Sequence, residues 1–226
     1  MPNMLEIACF NSESALIAEN AGADRIELCQ NYSLGGLSPS NDLILAVRKK
    51  VRIPLHVIVR PHARNFVYSK EDLHRMKDTI LFCKMHQIDG LVFGCLTSEY
   101  NIDETPCKEL LELAAPLPVT FHRAIDQTKD ITLAIQSCIH LGFKRVLTSG
   151  AKENAFAGKV NLHALQLHFG KDILLMPGGG IRSENLELIK KVAQCHEYHS
   201  AALTDSSEIC DPLEVKKLHA IIQNTQ

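Results

Sequence analysis

The sequence predicts a compact, single-domain (β/α)8 TIM barrel spanning residues 1–226. Three observations carry that expectation. Eight short β-rich runs recur, each followed by a helical pattern, and such alternation means parallel strands joined by right-handed crossovers. The repeat averages about 28 residues, with no linker, low-complexity tract or charge block, which suits a small closed barrel. The first strand–helix turn reads "CFNSES" and contains no glycine, so it lacks the phosphate-binding fingerprint of an open doubly wound sheet.

The strands fall in order at "MLEIACF" (4–10), "DRIELC" (24–29), "PLHVIVR" (54–60) and "GLVFG" (90–94). "PVTFHR" (118–123), "RVLTS" (145–149), "ILLMPG" (173–178) and "EYHSAAL" (197–203) complete the set. Helices are expected near 13–21, 40–50, 70–87, 105–115, 130–141, 161–169, 183–193 and 212–223. Ser12, Ser69, Asp130, Asn161, Arg182–Ser183 and Asp211 stand where caps belong, because a side-chain oxygen there can accept the first unpaired N–H groups. Gly142 is a helix stop by virtue of its access to positive φ.

Period-two alternation then assigns faces. Arg25, Glu27 and Cys29 share one side of the second strand, opposite Ile26 and Leu28. In a barrel both faces are covered, so these three point inward, together with Met4, Glu6 and Ala8. His56, Arg60, Thr120 and His122 follow the same parity, and Glu197 shares a face with His199. Isolated interior charges cost several kcal/mol, on the order of a lost buried pair, so this set reads as a paired network. Glu6 and Arg25, near strand starts, read as structural filling. Glu27, Cys29, Arg60, His122 and Arg123 lie at strand ends, where barrel active sites are built.

Two glycine-bearing corners add anion chemistry. "MPGGGI" closes the seventh strand and places Gly178, Gly179 and Gly180 before a helix start, where bare N–H groups can approach phosphate. "LTSG" supplies Thr148 and Ser149 at the end of the sixth strand. "LGGLSPS" follows the second strand, with glycines that let the loop fold over the mouth.

Composition narrows the classes. The net charge of -2 gives no electrostatic footprint for nucleic acid or an anionic membrane. No apolar run approaches the roughly 18 residues of a membrane span, and no signal segment is expected, so a cytoplasmic setting is the default. The eight cysteines include no Cys-x-x-Cys, which argues against zinc ribbons and thioredoxin-like motifs. Most read as buried thiols acting as small hydrophobes.

The motifs "ADRIELC", "GGLSPS", "RPHARNFVYS", "VTFHRAID", "RVLTSG" and "MPGGGI" resemble, in order and spacing, those of the CutC family, named for copper homeostasis. The resemblance runs from about Leu5 to His199. It implies a cytoplasmic, usually oligomeric barrel credited with binding Cu(I) through cysteines, which fall here on Cys9 and Cys29. Two places depart from the family pattern. The third-strand loop reads Arg60-Pro61-His62-Ala63-Arg64-Asn65 in place of Arg-Pro-Arg and small residues, with Arg64 a candidate substitute charge. The last strand carries Ser200-Ala201-Ala202 after His199, so the family's serine is an alanine.

Two functions are therefore expected. One is a homo-oligomeric copper homeostasis protein holding Cu(I) on Cys9 and Cys29 at the mouth. Parity opposes it, since Cys9 should face the helices unless the chain bends after Ala8. The other is an enzyme of lyase or isomerase type acting on a small phosphorylated or carboxylated metabolite. In it Arg60 and Arg123 clamp the anion, and His122 and Glu27 move protons.

Overall fold

The computed structural model describes residues 3–224. Its first half comprises β1 (Met4–Cys9), α1 (Ser12–Asn20), β2 (Arg25–Leu28), α2 (Asn41–Lys50), β3 (Leu55–Ile58), α3 (Lys70–Met85), β4 (Gly90–Phe93) and α4 (Glu104–Ala114). The second half comprises β5 (Val119–Phe121), α5 (Ile131–Leu141), β6 (Arg145–Thr148), α6 (Ala155–Phe169), β7 (Leu174–Pro177), α7 (Ser183–Ala193), β8 (Glu197–Ser200) and α8 (Pro212–Gln223). Short 3-10 turns at Tyr32–Leu34 and Arg123–Gln127 were not anticipated from the sequence.

The sheet order is β7-β6-β5-β4-β3-β2-β1-β8, and β7 lies against β8 to bring the ends together. The ladders are parallel, with Glu6 level with Arg25 and His199, Glu27 with His56, and Thr120 with Arg145. The alternation of faces is realised in two separate apolar layers. Leu5, Ile7, Ile26, Leu28, Phe93, Phe121 and Tyr198 belong to the large core between barrel and helices. Ala8, Phe10, Cys29, Ile58, Val92 and Leu203 form a small cluster inside the barrel, toward its mouth.

Ser69 and Asp72 form a reciprocal capping box at α3, and Asp130 and Asp211 each accept two N–H groups at the starts of α5 and α8. Gly142 ends α5 with φ 93°. Two starts differ from expectation. Asn11, not Ser12, caps α1 by accepting the Ser14 N–H at 2.8 Å. Helix α6 begins at Ala155 under an Asn154 cap, while Asn161 lies inside it and donates its amide to the Gly150 carbonyl at 2.9 Å.

Candidate active site at the barrel mouth

The barrel floor is a closed charge network. Arg25 donates to Glu6 and to Glu197, each at 2.5 Å, and Arg145 reaches Glu197 at 3.0 Å. Two carboxylates and two guanidiniums balance, so burial does not strand a net charge. Burial would raise the Glu6 pKa, but the charge of Arg25 and the hydrogen bond with His199 hold it well below the usual carboxylate range. Burial also pushes His56 down to about 3, so His56 is neutral beside this network. Arg145 had no place in the parity reading of the sixth strand, although it occupies the inward register opposite Thr120.

Above the floor stands a cluster of ionisable side chains. His199 Nδ1 is 2.8 Å from Glu6 Oε1, and His199 Nε2 is 3.7 Å from Glu27 Oε2. Burial depresses the His199 pKa, yet the hydrogen bond to Glu6 and the charge of Glu27 bring it above the ordinary value. Glu27 is raised, chiefly by burial, with His199 opposing. A carboxyl raised by burial beside an imidazole raised by its carboxylate neighbours brings two proton-binding groups together. The Cys29 thiol donates to Glu27 Oε2 at 3.4 Å.

These groups open into a cavity of about 250 Å³. Its wall includes Glu27, Cys29, Arg60, Phe66, His122, Arg123, Gly179, Gly180, Arg182 and His199. The loop carrying Tyr32–Leu34 covers one side, held by Arg60, whose Nη1 donates to the carbonyls of Leu34, Gly35 and Gly36 at 3.0–3.1 Å. Arg60 also stacks over Phe66, with 4.8 Å between its Cζ and the ring centroid. Most of its guanidinium is thus committed to the loop, a strut more than the anion clamp the sequence suggested.

Arg123 is the more available cation. It pairs with Asp126 at 3.0 Å and donates to Ser149 Oγ at 3.0 Å, while its Nη1 lies against Gly179. A Cβ on Gly179 would sit 2.7 Å from that nitrogen, so glycine is needed for the approach, as its φ of 93° also requires.

Several other candidates are placed elsewhere. Thr148 and Ser149 both donate to Asp126, at 2.5 and 3.0 Å, and do not line the cavity. Gly178 serves packing, since a Cβ there would lie 2.4 Å from the Leu147 side chain. The α7 start offers no vacancy for an anion, because Glu214 accepts both the N–H and the hydroxyl of Ser183 at 2.6 and 2.7 Å. Arg64 sits 3.5 Å from Asp72 of α3, on the outside of the mouth. Asp126, which organises the Arg123–Ser149 corner, carried no signal beyond its place in "HRAID".

The two cysteines lie on different faces. Cys29 belongs to the small cluster inside the mouth, whereas Cys9 belongs to the helix-facing core, with its thiol 3.7 Å from the Ile7 carbonyl. Burial and the neighbouring Cys210 thiol raise the Cys9 pKa, and burial with the Glu27 charge raises that of Cys29. Among the described residues, no group of three or more His, Cys, Asp or Glu side chains is placed to hold a metal ion. All eight cysteines are free.

Fold and mouth together define a class: a (β/α)8 barrel with a buried cluster of carboxylates and imidazoles at its mouth. The chain belongs to the CutC family, whose family profile matches residues 3–204. The human copper homeostasis protein cutC homolog is 41% identical over 199 residues, 88% of this chain and 73% of that protein. The Caenorhabditis elegans homolog is 40% identical over 200 residues, 88% of this chain and 80% of its own. A structure of CutC from Streptococcus agalactiae matches with a TM-score of 0.83 at 30% identity, covering 88% of this chain and 98% of that one. Phosphoribosyl anthranilate isomerase from Thermotoga maritima matches over 98% of both chains with a TM-score of 0.64. At 15% identity that likeness concerns the fold alone.

Proposed function

We propose that the mouth binds a small phosphorylated or carboxylated metabolite and performs lyase- or isomerase-type proton transfer on it. The observation that carries this reading is the Glu6–His199–Glu27 relay opening on a cavity whose rim holds Arg60, Arg123 and Arg182. Glu27 transfers the proton, His122 lies across the same cavity, and Arg123 with the Gly179–Gly180 backbone receives the anion. Sulfate or phosphate should stabilise the full-length protein relative to chloride at equal ionic strength, by mass action on the folded state. A thermal-shift titration reads this. The gain should disappear in Gly179→Val and in Arg123→Ala, and an identical melting curve in sulfate and chloride would count against the reading.

A second reading concerns copper, and the presence of Cys29 in the mouth favours it. Cu(I) is soft and accepts thiolate, so Cys29 supplies one ligand. Cys9 joins it only if the end of β1 turns over. Uptake of Cu(I), measured by competition with a chromogenic chelator under reducing conditions, should be lost in Cys29→Ser and little changed in Cys9→Ser. The raised Cys29 pKa means that binding must expel a proton, so affinity should increase with pH. Equal uptake by wild type and Cys29→Ser would remove the mouth thiol from any copper site. A cytoplasmic, homo-oligomeric protein fits both readings, and eight free cysteines suit a reducing compartment.

A further inference from the structure

We infer that the reaction at the mouth is proton abstraction next to a carbonyl group, with Glu27 as the base and the Nε2–H of His122 as donor to the carbonyl oxygen. This deepens the enzyme reading above and rests on it. Three buried polar atoms of cavity-lining residues have no partner among the described residues: Glu27 Oε1, His122 Nε2 and Arg60 Nε. Leaving one such group unsatisfied costs about 1–3 kcal/mol, so three around one cavity mark a place for a polar ligand.

Their chemistry restricts that ligand. His122 caps the 3-10 turn after β5, and its Nδ1 accepts the Ala124 N–H at 3.4 Å. Accepting there leaves the ring proton on Nε2, so the unpartnered nitrogen is a donor. Burial, with the nearby Arg60 charge, pushes the His122 pKa down to about 3, and the ring is therefore a neutral donor at physiological pH. The guanidinium of Arg60 is a donor at every nitrogen, and its Nη1 is already engaged by the loop carbonyls. Two N–H donors and one carboxyl oxygen without partners thus lie in the residues of the cavity wall, where a ligand pressed against that wall can engage them. A carbonyl oxygen satisfies the donors, and the acidified C–H beside it faces the carboxylate. A phosphate group alone would satisfy the donors but set its charge against Glu27.

In the step itself, Glu27 carboxylate takes the proton from the carbon next to the carbonyl. The C–H electron pair becomes the new carbon–carbon π bond, and the carbonyl π pair moves onto oxygen. The enolate oxygen is then held by His122 Nε2–H and Arg60 Nε–H, in a water-poor setting where such donors are strongest. Neutral imidazole polarises the carbonyl without surrendering its charge balance to the floor network. Glu27 returns the proton to the same carbon as the oxygen pair re-forms the carbonyl. Where that carbon carries a hydroxyl, passage of the hydroxyl proton to the enolate oxygen lets Glu27 protonate the neighbouring carbon instead, and the carbonyl moves. His199 stabilises the carboxylate between steps.

The test compares two probes by calorimetry, with EDTA present to exclude metal chelation. Phosphoglycolohydroxamate is planar and mimics an enediolate with a phosphate tail. Glycerol 3-phosphate carries the same tail on tetrahedral carbon. Wild type should bind the hydroxamate at least tenfold more tightly, and the preference should vanish in Glu27→Gln and in His122→Phe while both variants still bind glycerol 3-phosphate. Wild-type affinities within twofold of each other, or a preference that survives both substitutions, would overturn the inference. If glycerol 3-phosphate binds without that preference, the anion-binding reading stands and only the carbonyl chemistry falls. If neither probe binds and sulfate gives no stabilisation, both fall.

Discussion

Replacing Arg25 by methionine should destabilise the protein by about 3–5 kcal/mol, the cost of leaving a buried ion pair without one partner. Arg25 is 3% exposed and stands between Glu6 and Glu197, so its loss leaves Glu197 with Arg145 and Glu6 with His199 in place of the shared guanidinium. At roughly 2–4 °C per kcal/mol for a chain of this size, the melting temperature should fall by about 6–20 °C. Acid sensitivity should change in a defined direction. Glu6, held well below the ordinary carboxylate range against the effect of burial, contributes stability that is present above its unfolded pKa and lost as pH falls through the lower folded value. Without Arg25 the folded value rises, and acid unfolding should begin at higher pH. Urea titrations of both proteins between neutral and acid pH measure both effects. A loss below about 1 kcal/mol, typical of exposed pairs, would mean the floor network is hydrated and not a dry lattice.

The strand faces were legible because a barrel leaves no wet side, so alternation alone sends Glu6, Arg25, Glu27 and His56 to the interior. Which charge meets which partner was not legible. That depends on the stagger between strands, which sets Glu6 beside His199 across the β1–β8 seam. Thr148 and Ser149 illustrate the same limit. Their hydroxyls suited an anion by type, but Asp126, brought in by the turn after β5, takes both. The Ser183 helix start likewise carried the right dipole, and Glu214 from the start of α8 fills it. Long-range partners of this kind leave no local trace in a sequence.

Arg60 shows how one side chain can join the covering loop to the chemistry. Its Nη1 holds three carbonyls of the loop after β2, while its buried Nε has no partner among the described residues. A ligand oxygen on Nε therefore meets a guanidinium already fixed in place by the loop, which lowers the ordering cost of binding. The two GG positions of that loop, Gly35 and Gly36, have φ of 77° and 81°, a backbone that non-glycine residues adopt only under strain. The loop's path over the mouth is thus written in "LGGLSPS", although its anchor is not.

Gly158→Ala should destabilise the protein by about 3 kcal/mol or more, although helix propensity alone predicts a gain of roughly 1 kcal/mol for alanine over glycine. The two effects have opposite signs, so the measurement separates them. A Cβ at Gly158 would lie 1.7 Å from the carbonyl oxygen of Ser149 and 2.9 Å from its carbonyl carbon. These are backbone atoms at the end of β6, and no side-chain rotation relieves the contact, so α6 must move outward. Gly150 makes the reciprocal contact, with a built Cβ 2.8 Å from the Gly158 carbonyl. A glycine inside the first turns weakens the local helical signal, which is the physical reason a start at Asn161 read more plausibly than the observed start at Ala155. Its presence is explained by what it touches. Moving α6 also shifts Ser149, which Arg123 and Asp126 both hold, so the same substitution should weaken stabilisation by sulfate. As a control, Val160→Ala lies on the exposed face of α6 and should gain slightly by propensity while leaving the sulfate effect intact. Urea unfolding with and without sulfate decides the matter: a stabilised Gly158→Ala protein would show that α6 does not rest on the β6 exit as described.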